Sequence, residues 1–103
     1  MNLVILTGRI ATDIELSHTQ QGKAYTSFNL AVERYSREDT ADFPTIIAWE
    51  KTAEFLNKWM NKGNKIVVRG EIRTRNYIGS DGKNRKTTEI LADRVEFADS
   101  ISR

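Results

Sequence analysis

Cysteine is absent from the 103-residue chain, which excludes disulfides and thiolate metal sites and suits a reducing compartment such as the cytosol. Histidine is nearly absent. The single imidazole, His18, lies in the polar stretch "LSHTQQG", read as a loop. Without cysteine, and without carboxylates at ligand spacing, it does not make a metal site. No glycine-rich loop has the usual phosphate-binding spacing, so no cofactor is expected. Acidic pairs such as Glu38 and Asp39 fall in a polar connection where solvation explains them. With no grouping of nucleophile, base and metal ligand, the chain reads as a non-enzyme. Long apolar runs are missing too: "LVIL", Leu3 to Leu6, is too short for a signal-peptide core or a bilayer span, so no membrane partner is expected. A single proline and six glycines argue against disorder, and the length suits one domain, 1–103, with a modest core.

What is present is charge, unevenly divided. Residues 1–50 carry four basic and seven acidic side chains, whereas residues 51–103 carry twelve and seven. A basic half on a chain of net charge +2 points to a local field aimed at a polyanion, with ordinary solvated surface as the plain alternative.

"NLVILTGRI" reads as a strand with a bulge or bend at Gly8. From Ala24 to Val32, the positions Ala24, Thr26, Phe28, Leu30 and Val32 alternate with mostly polar residues, which predicts a half-buried strand. "SREDTAD", Ser36 to Asp42, has no periodicity and reads as an exposed connection. Phe43 to Trp49 is strand-like, with Phe43, Thr45, Ile47 and Trp49 on one face. The period then changes: Ala53, Leu56 and Met60 form one helical stripe over Thr52 to Asn61, with Phe55 and Trp59 beside it and Trp59 read as packing with the helix. Thr52 can cap this helix and Gly63 can end it. Lys65 to Tyr77 and Lys86 to about Phe97 read as strands joined by a turn at "SDG", Ser80 to Gly82. Five strands with one helix between the third and fourth is the order of the OB-fold, an all-β, partly open barrel, although an α+β sandwich gives a similar string.

The last hairpin holds the densest chemistry. From Arg69 to Lys86 it carries six Lys and Arg against two acids. Strand alternation puts Arg73, Arg75 and Tyr77 on one face, along a line of about 13 Å. Successive nucleotides of a single strand present a phosphate for a cation and an unstacked base for a flat ring, so this face suits an unpaired polynucleotide. The same triplet also fits edge-strand gatekeepers beside a half-buried tyrosine. Phe43 and Trp49 share a second such face, with Lys51 next if the strand persists. Lys62 and Lys65 after the helix, and Lys83, Arg85 and Lys86 on the hairpin, extend a basic track on charge alone.

The ordered series "NLVILTGRI", "FNLAVER", "ADFPTIIAWEKTAEFL", "KGNKIVVRGEIRTRNY" and "TTEILADRVEF" resembles bacterial single-stranded DNA-binding proteins of the homotetrameric OB-fold type over nearly the whole chain. The resemblance implies binding of single-stranded DNA with little sequence preference, protecting it during replication, recombination and repair in the bacterial cytosol or nucleoid. Matched residue by residue, the family's stacking positions fall on Tyr35, Phe43, Trp49 and Tyr77, and its basic positions on Lys51, Lys62, Arg73 and Arg75. It further implies a homotetramer built through the first strands and the sheets, with Pro44 where some relatives place an imidazole near the subunit contacts. Relatives continue into a flexible linker and an acidic tip that recruits repair and replication enzymes. Such recruitment is not expected for this chain, which stops at Arg103. An RNA-binding OB domain and an OB protein-assembly module remain the rival readings.

Overall fold

A computed structural model describes residues 1–35 and 37–98. Its strands are β1 (Val4–Ile10), β2 (Ser17–His18), β3 (Ala24–Arg34), β4 (Arg37–Asp42), β5 (Thr45–Trp49), β6 (Lys65–Ile78) and β7 (Asn84–Phe97), with the helix α1 (Glu50–Trp59) following β5. Five strands, β1, β3, β5, β6 and β7, close a circuit. β1 pairs with β6, β6 with β7, β7 with β5, β5 with β3, and β3 returns to β1 through Arg9↔Ala31 and Ile10↔Leu30. All these pairings are antiparallel except β5 with β7. This is the OB-fold barrel, with the helix between the third and fourth strands of the circuit.

Alternation decides what fills it. The even positions of β3 from Ala24 to Leu30 are buried, together with Ile46 and Ala48 of β5, Ile66 and Val68 of β6, and Ile90 and Ala92 of β7. Thr26, the polar member of this set, donates its hydroxyl to the Glu15 carbonyl at 2.8 Å, so its burial leaves no orphaned group. α1 closes the barrel against β3, β5 and β7 with Ala53 and Leu56, while Met60, expected on the same helical stripe, is buried as the extended residue just past the helix.

Several local expectations are corrected. Gly8 is not a bulge: β1 keeps its register with β6 through it, and a Cβ there would lie 2.3 Å from the Ala31 carbonyl oxygen, so glycine permits close crossing of β3. The irregularity lies elsewhere, between Arg69 and Gly70, where the register skips Asp93 of β7. The polar connection from Ser36 is largely a strand. β4 pairs with the outer end of β3 across a shift at Glu33/Arg34, and its backbone, not apolar burial, supplies the partners. Ser36 itself lies outside the described residues. His18 is in the two-residue β2, paired with Ala24. α1 begins at Glu50, capped by no side chain, and Gly63, at φ +97°, shapes the turn beyond the helix. Trp59 does not pack down: its residue is 55% exposed, with Lys58 Nζ 5.2 Å from the ring centroid.

Candidate nucleic-acid interface

Pairing register defines one outward face across four strands. On β3 it carries Tyr25, Ser27 and Asn29; on β5, Trp49, Ile47 and Thr45, each opposite those residues in turn. Thr45 and Ile47 continue the rows to Glu89 and Leu91 of β7. Glu89, Thr87 and Arg85 face Arg73, Arg75 and Tyr77 of β6. Strand spacing and rise therefore set Trp49 about 13 Å to one side of the Thr45–Glu89–Arg73 row and Tyr77 about 13 Å to the other. The result is a diagonal platform, aromatic at its ends, aliphatic at Ile47 and Leu91, and cationic along β6.

The β6–β7 hairpin supplies the cationic end because it outruns the core. Beyond Gly70 a run of β6 side chains from Ile72 to Ile78 is exposed on both faces, so this part is an arm. Its root is held by the Asn2 amide, which donates to the Ile72 carbonyl at 2.9 Å and accepts from the Ile72 N–H at 2.8 Å. A Cβ at Gly70 would meet the Leu91 carbonyl oxygen at 2.1 Å, so only glycine lets the two strands of the arm stay paired there.

Each arginine beyond Gly70 on the arm already has a carboxylate. Arg73 Nε donates to Glu71 at 2.5 Å. Arg75 engages Glu89 through Nε at 3.2 Å and Nη2 at 3.1 Å, and Arg85 Nη2 meets Asp81 at 2.6 Å. The Glu89 side chain is only 13% exposed whereas that of Arg75 is 62% exposed, so the acid sits beneath and the guanidinium above. The hydrogen bonds that Arg75 donates to Glu89, reinforced by the carboxylate charge, raise the Arg75 pKa above the ordinary guanidinium value. The Arg75 Cζ also lies 5.9 Å from the Tyr77 ring centroid, within cation–π range.

Trp49 and Tyr77, at 40% and 42% exposure, both lie on this face and neither is sealed in the barrel. Phe43 is exposed two residues before β5. Lys51 is not the next strand residue but lies in the first turn of α1, since the chain turns at Glu50, whose φ is +52°. The Glu50 carboxylate accepts the Ala24 N–H at 3.3 Å, tying this junction to β3. The remaining expected residues spread out. Lys62 is exposed past the far end of α1, Lys83 is in the hairpin turn, and Lys86 opposes Asn76 on the other face of the arm. Tyr35 is fully exposed at the end of β3, lining with Ile5, Gly8 and Lys65 a concavity of about 1020 Å³ beside β1.

Tyr25 was missed by sequence reasoning. Its ring centroid lies 5.2 Å from that of Trp49, with planes inclined at 35°. The available signal was its odd position among the polar residues of β3, which marks it as an aromatic on the outward face.

An OB barrel bearing an aromatic and cationic strand face belongs to a class of oligomer-binding folds. Residues 1–98 match the model of the single-strand binding protein family, and the chain belongs to that family. It is 43% identical to the single-stranded DNA-binding protein of Fusobacterium nucleatum over 106 residues, covering 97% of this chain and 68% of that relative. Identity to single-stranded DNA-binding protein 3 of Listeria innocua is 42% over 104 residues, covering 97% of this chain and 65% of the relative. The corresponding protein of Clostridium tetani is 44% identical over 101 residues, covering 94% and 70%. The chain thus spans about two thirds of the length of these relatives, each named as a binding protein.

Proposed function

We propose that the chain binds single-stranded DNA with little base preference, protecting it during replication, recombination and repair in the bacterial cytosol. Phosphates are held by Arg73, Arg75 and Lys51, with Lys62, Lys83, Arg85 and Lys86 as outlying cations. Bases stack on Trp49 and Tyr77, with Phe43 and Tyr35 as further stacking positions. The observation that carries the reading is the register: Trp49, Arg73, Arg75 and Tyr77 share one continuous outward face. Stacking tolerates any base, and the phosphate contacts make affinity fall with salt.

The proposal includes a homotetramer of single OB domains. In its support, β1 is paired in register with β3 at Arg9 and Ile10 alone among the described residues, and Ile5 and the preceding Leu3 are exposed where β1 is paired on its β6 side only. An open edge of this kind suits pairing with a second copy.

The test is a titration with oligo(dT), following tryptophan emission in the parent, Trp49→Phe and Trp59→Phe at two salt concentrations. The expected result is quenching that disappears in Trp49→Phe and an affinity that falls with salt. Full quenching in Trp49→Phe, or no binding at low salt, refutes the assignment. Oligo(U) at equal salt separates the RNA reading, because 2′-hydroxyl readout favours RNA.

A further inference from the structure

We propose a nucleotide subsite beyond Trp49, formed by Tyr25 and Lys23, that turns the bound strand sideways off β5 onto β3; it rests on the single-stranded DNA reading above. A polynucleotide following the platform from Tyr77 reaches Trp49 and can go no further along β5. The strand ends there and the chain turns at Glu50 into α1. The aromatic surface continues sideways instead. Tyr25 is the register partner of Trp49 on β3, half-buried, with its ring 5.2 Å from the indole at an inclination of 35°. Two tilted rings in contact present adjoining flat surfaces, so a base on Trp49 has a second aromatic surface beside it for its neighbour.

Cations stand at the same end. Lys23 lies two residues before Tyr25, at the end of β3 that Trp49 of β5 faces, and Lys51 stands in the first turn of α1, just after the chain turns at Glu50. Lys23 is exposed, and among the described residues it makes no ion pair. That sets it apart from Arg73, Arg75 and Arg85, each of which must share a phosphate with a carboxylate. Its backbone is fixed: the Lys23 N–H donates to the Thr19 hydroxyl at 3.1 Å and its carbonyl accepts the Thr19 N–H at 2.9 Å. The ligand class is one nucleotide of a flexible single strand, its base on the Tyr25 ring and its phosphate at Lys23. A duplex keeps its bases stacked and cannot use the ring.

The test is photocrosslinking of 5-iodouracil-substituted oligo(dT) to the unmodified chain, with crosslinked peptides located by mass spectrometry, together with titrations of Tyr25→Phe, Tyr25→Leu and Lys23→Gln. Crosslinks at Tyr25 as well as Trp49 are expected. Tyr25→Phe should bind like the parent, and Tyr25→Leu about tenfold more weakly. Lys23→Gln should reduce the salt slope by about 0.7, while Lys58→Gln leaves it unchanged. Crosslinks at Trp49 and Tyr77 without Tyr25, or an unchanged slope in Lys23→Gln, overturn the subsite and leave the general reading intact. Absence of any binding by the parent overturns that reading instead.

Discussion

Replacing Tyr77 with alanine separates stacking from support. The ring stands on the arm beyond Gly70, outside the buried cluster of the barrel, and is 42% exposed. Truncation therefore opens no core cavity, and stability should change by no more than about 0.5 kcal/mol, the usual range for a surface position. In a chain of 103 residues that corresponds to less than about 4 °C in Tm. Loss of one stacked base is larger, about 1–3 kcal/mol, or roughly 5- to 150-fold in Kd. The salt slope should hold, because Tyr77 carries no charge and Arg75 keeps its orientation through Glu89 at 3.1 and 3.2 Å. Tyr77→Phe keeps the ring and should bind within about twofold of the parent. Fluorescence titrations with oligo(dT) and oligo(dC) at 50 and 200 mM salt, alongside thermal melts, read all of these quantities. A Tm lowered by more than about 5 °C with unchanged affinity per folded molecule would show that the ring props up the arm and contacts no base.

Arg73→Gln should reduce the salt slope by up to about 0.7, so that its affinity deficit shrinks by about 2.6-fold between 50 and 200 mM salt, as equilibrium titration can measure. Arg75→Gln should bind more weakly than Arg73→Gln, because it also uncovers Tyr77 and leaves the half-buried Glu89 without its partner. Gly70→Ala should destabilise the fold by about 1–3 kcal/mol in urea denaturation, since the new methyl meets the Leu91 carbonyl oxygen at 2.1 Å. The hydrogen bond from Arg34 holds the Asp42 carboxyl below its ordinary value of 3.8. Its contribution to the β3–β4 pairing is thus fully present above pH 3.8 and is lost as pH falls through the lower folded-state value. Amide exchange should show β4 loosening only in that acid window, and Asp42→Asn should abolish the dependence.

The barrel was legible where burial alternates. The even positions of β3 and the pair Ala53 and Leu56 on α1 are statements about apolar spacing, which sequence displays directly. β4 was hidden because "REDTAD" has no apolar face, and its pairing comes from an extension of β3 that only the folded chain provides. The start of α1 was misplaced for a related reason: the capping reading needs Thr52, whereas the turn is made by Glu50 in a left-handed conformation held to Ala24. Of the platform, the faces of Trp49, Arg73, Arg75 and Tyr77 followed from period two. Their union into one surface required the parallel register Thr45↔Glu89, and the carboxylates beneath the arginines required the side-chain geometry.

If the platform binds DNA as proposed, those carboxylates govern how its arginines engage phosphate. An arginine that leaves an acid for a phosphate exchanges one partner for another, so each such contact releases fewer counterions than a free cation does. The guanidinium of Arg75 gives its Nε and Nη2 edge to Glu89, and its fork retains a second edge directed by Nη1. Glu89, mostly covered between β5 and β6, cannot follow the strand outward, so it orients the cation while subtracting from the field above it. Glu89→Gln keeps the shape and removes the charge, and should steepen the salt slope while tightening binding at low salt. Arg75→Gln in the Glu89→Gln background should cancel the gain. A slope that stays flat in Glu89→Gln would mean that Arg75 never exchanges the acid for a phosphate. The cationic work of the arm would then fall to Arg73, with the outlying Lys83, Arg85 and Lys86.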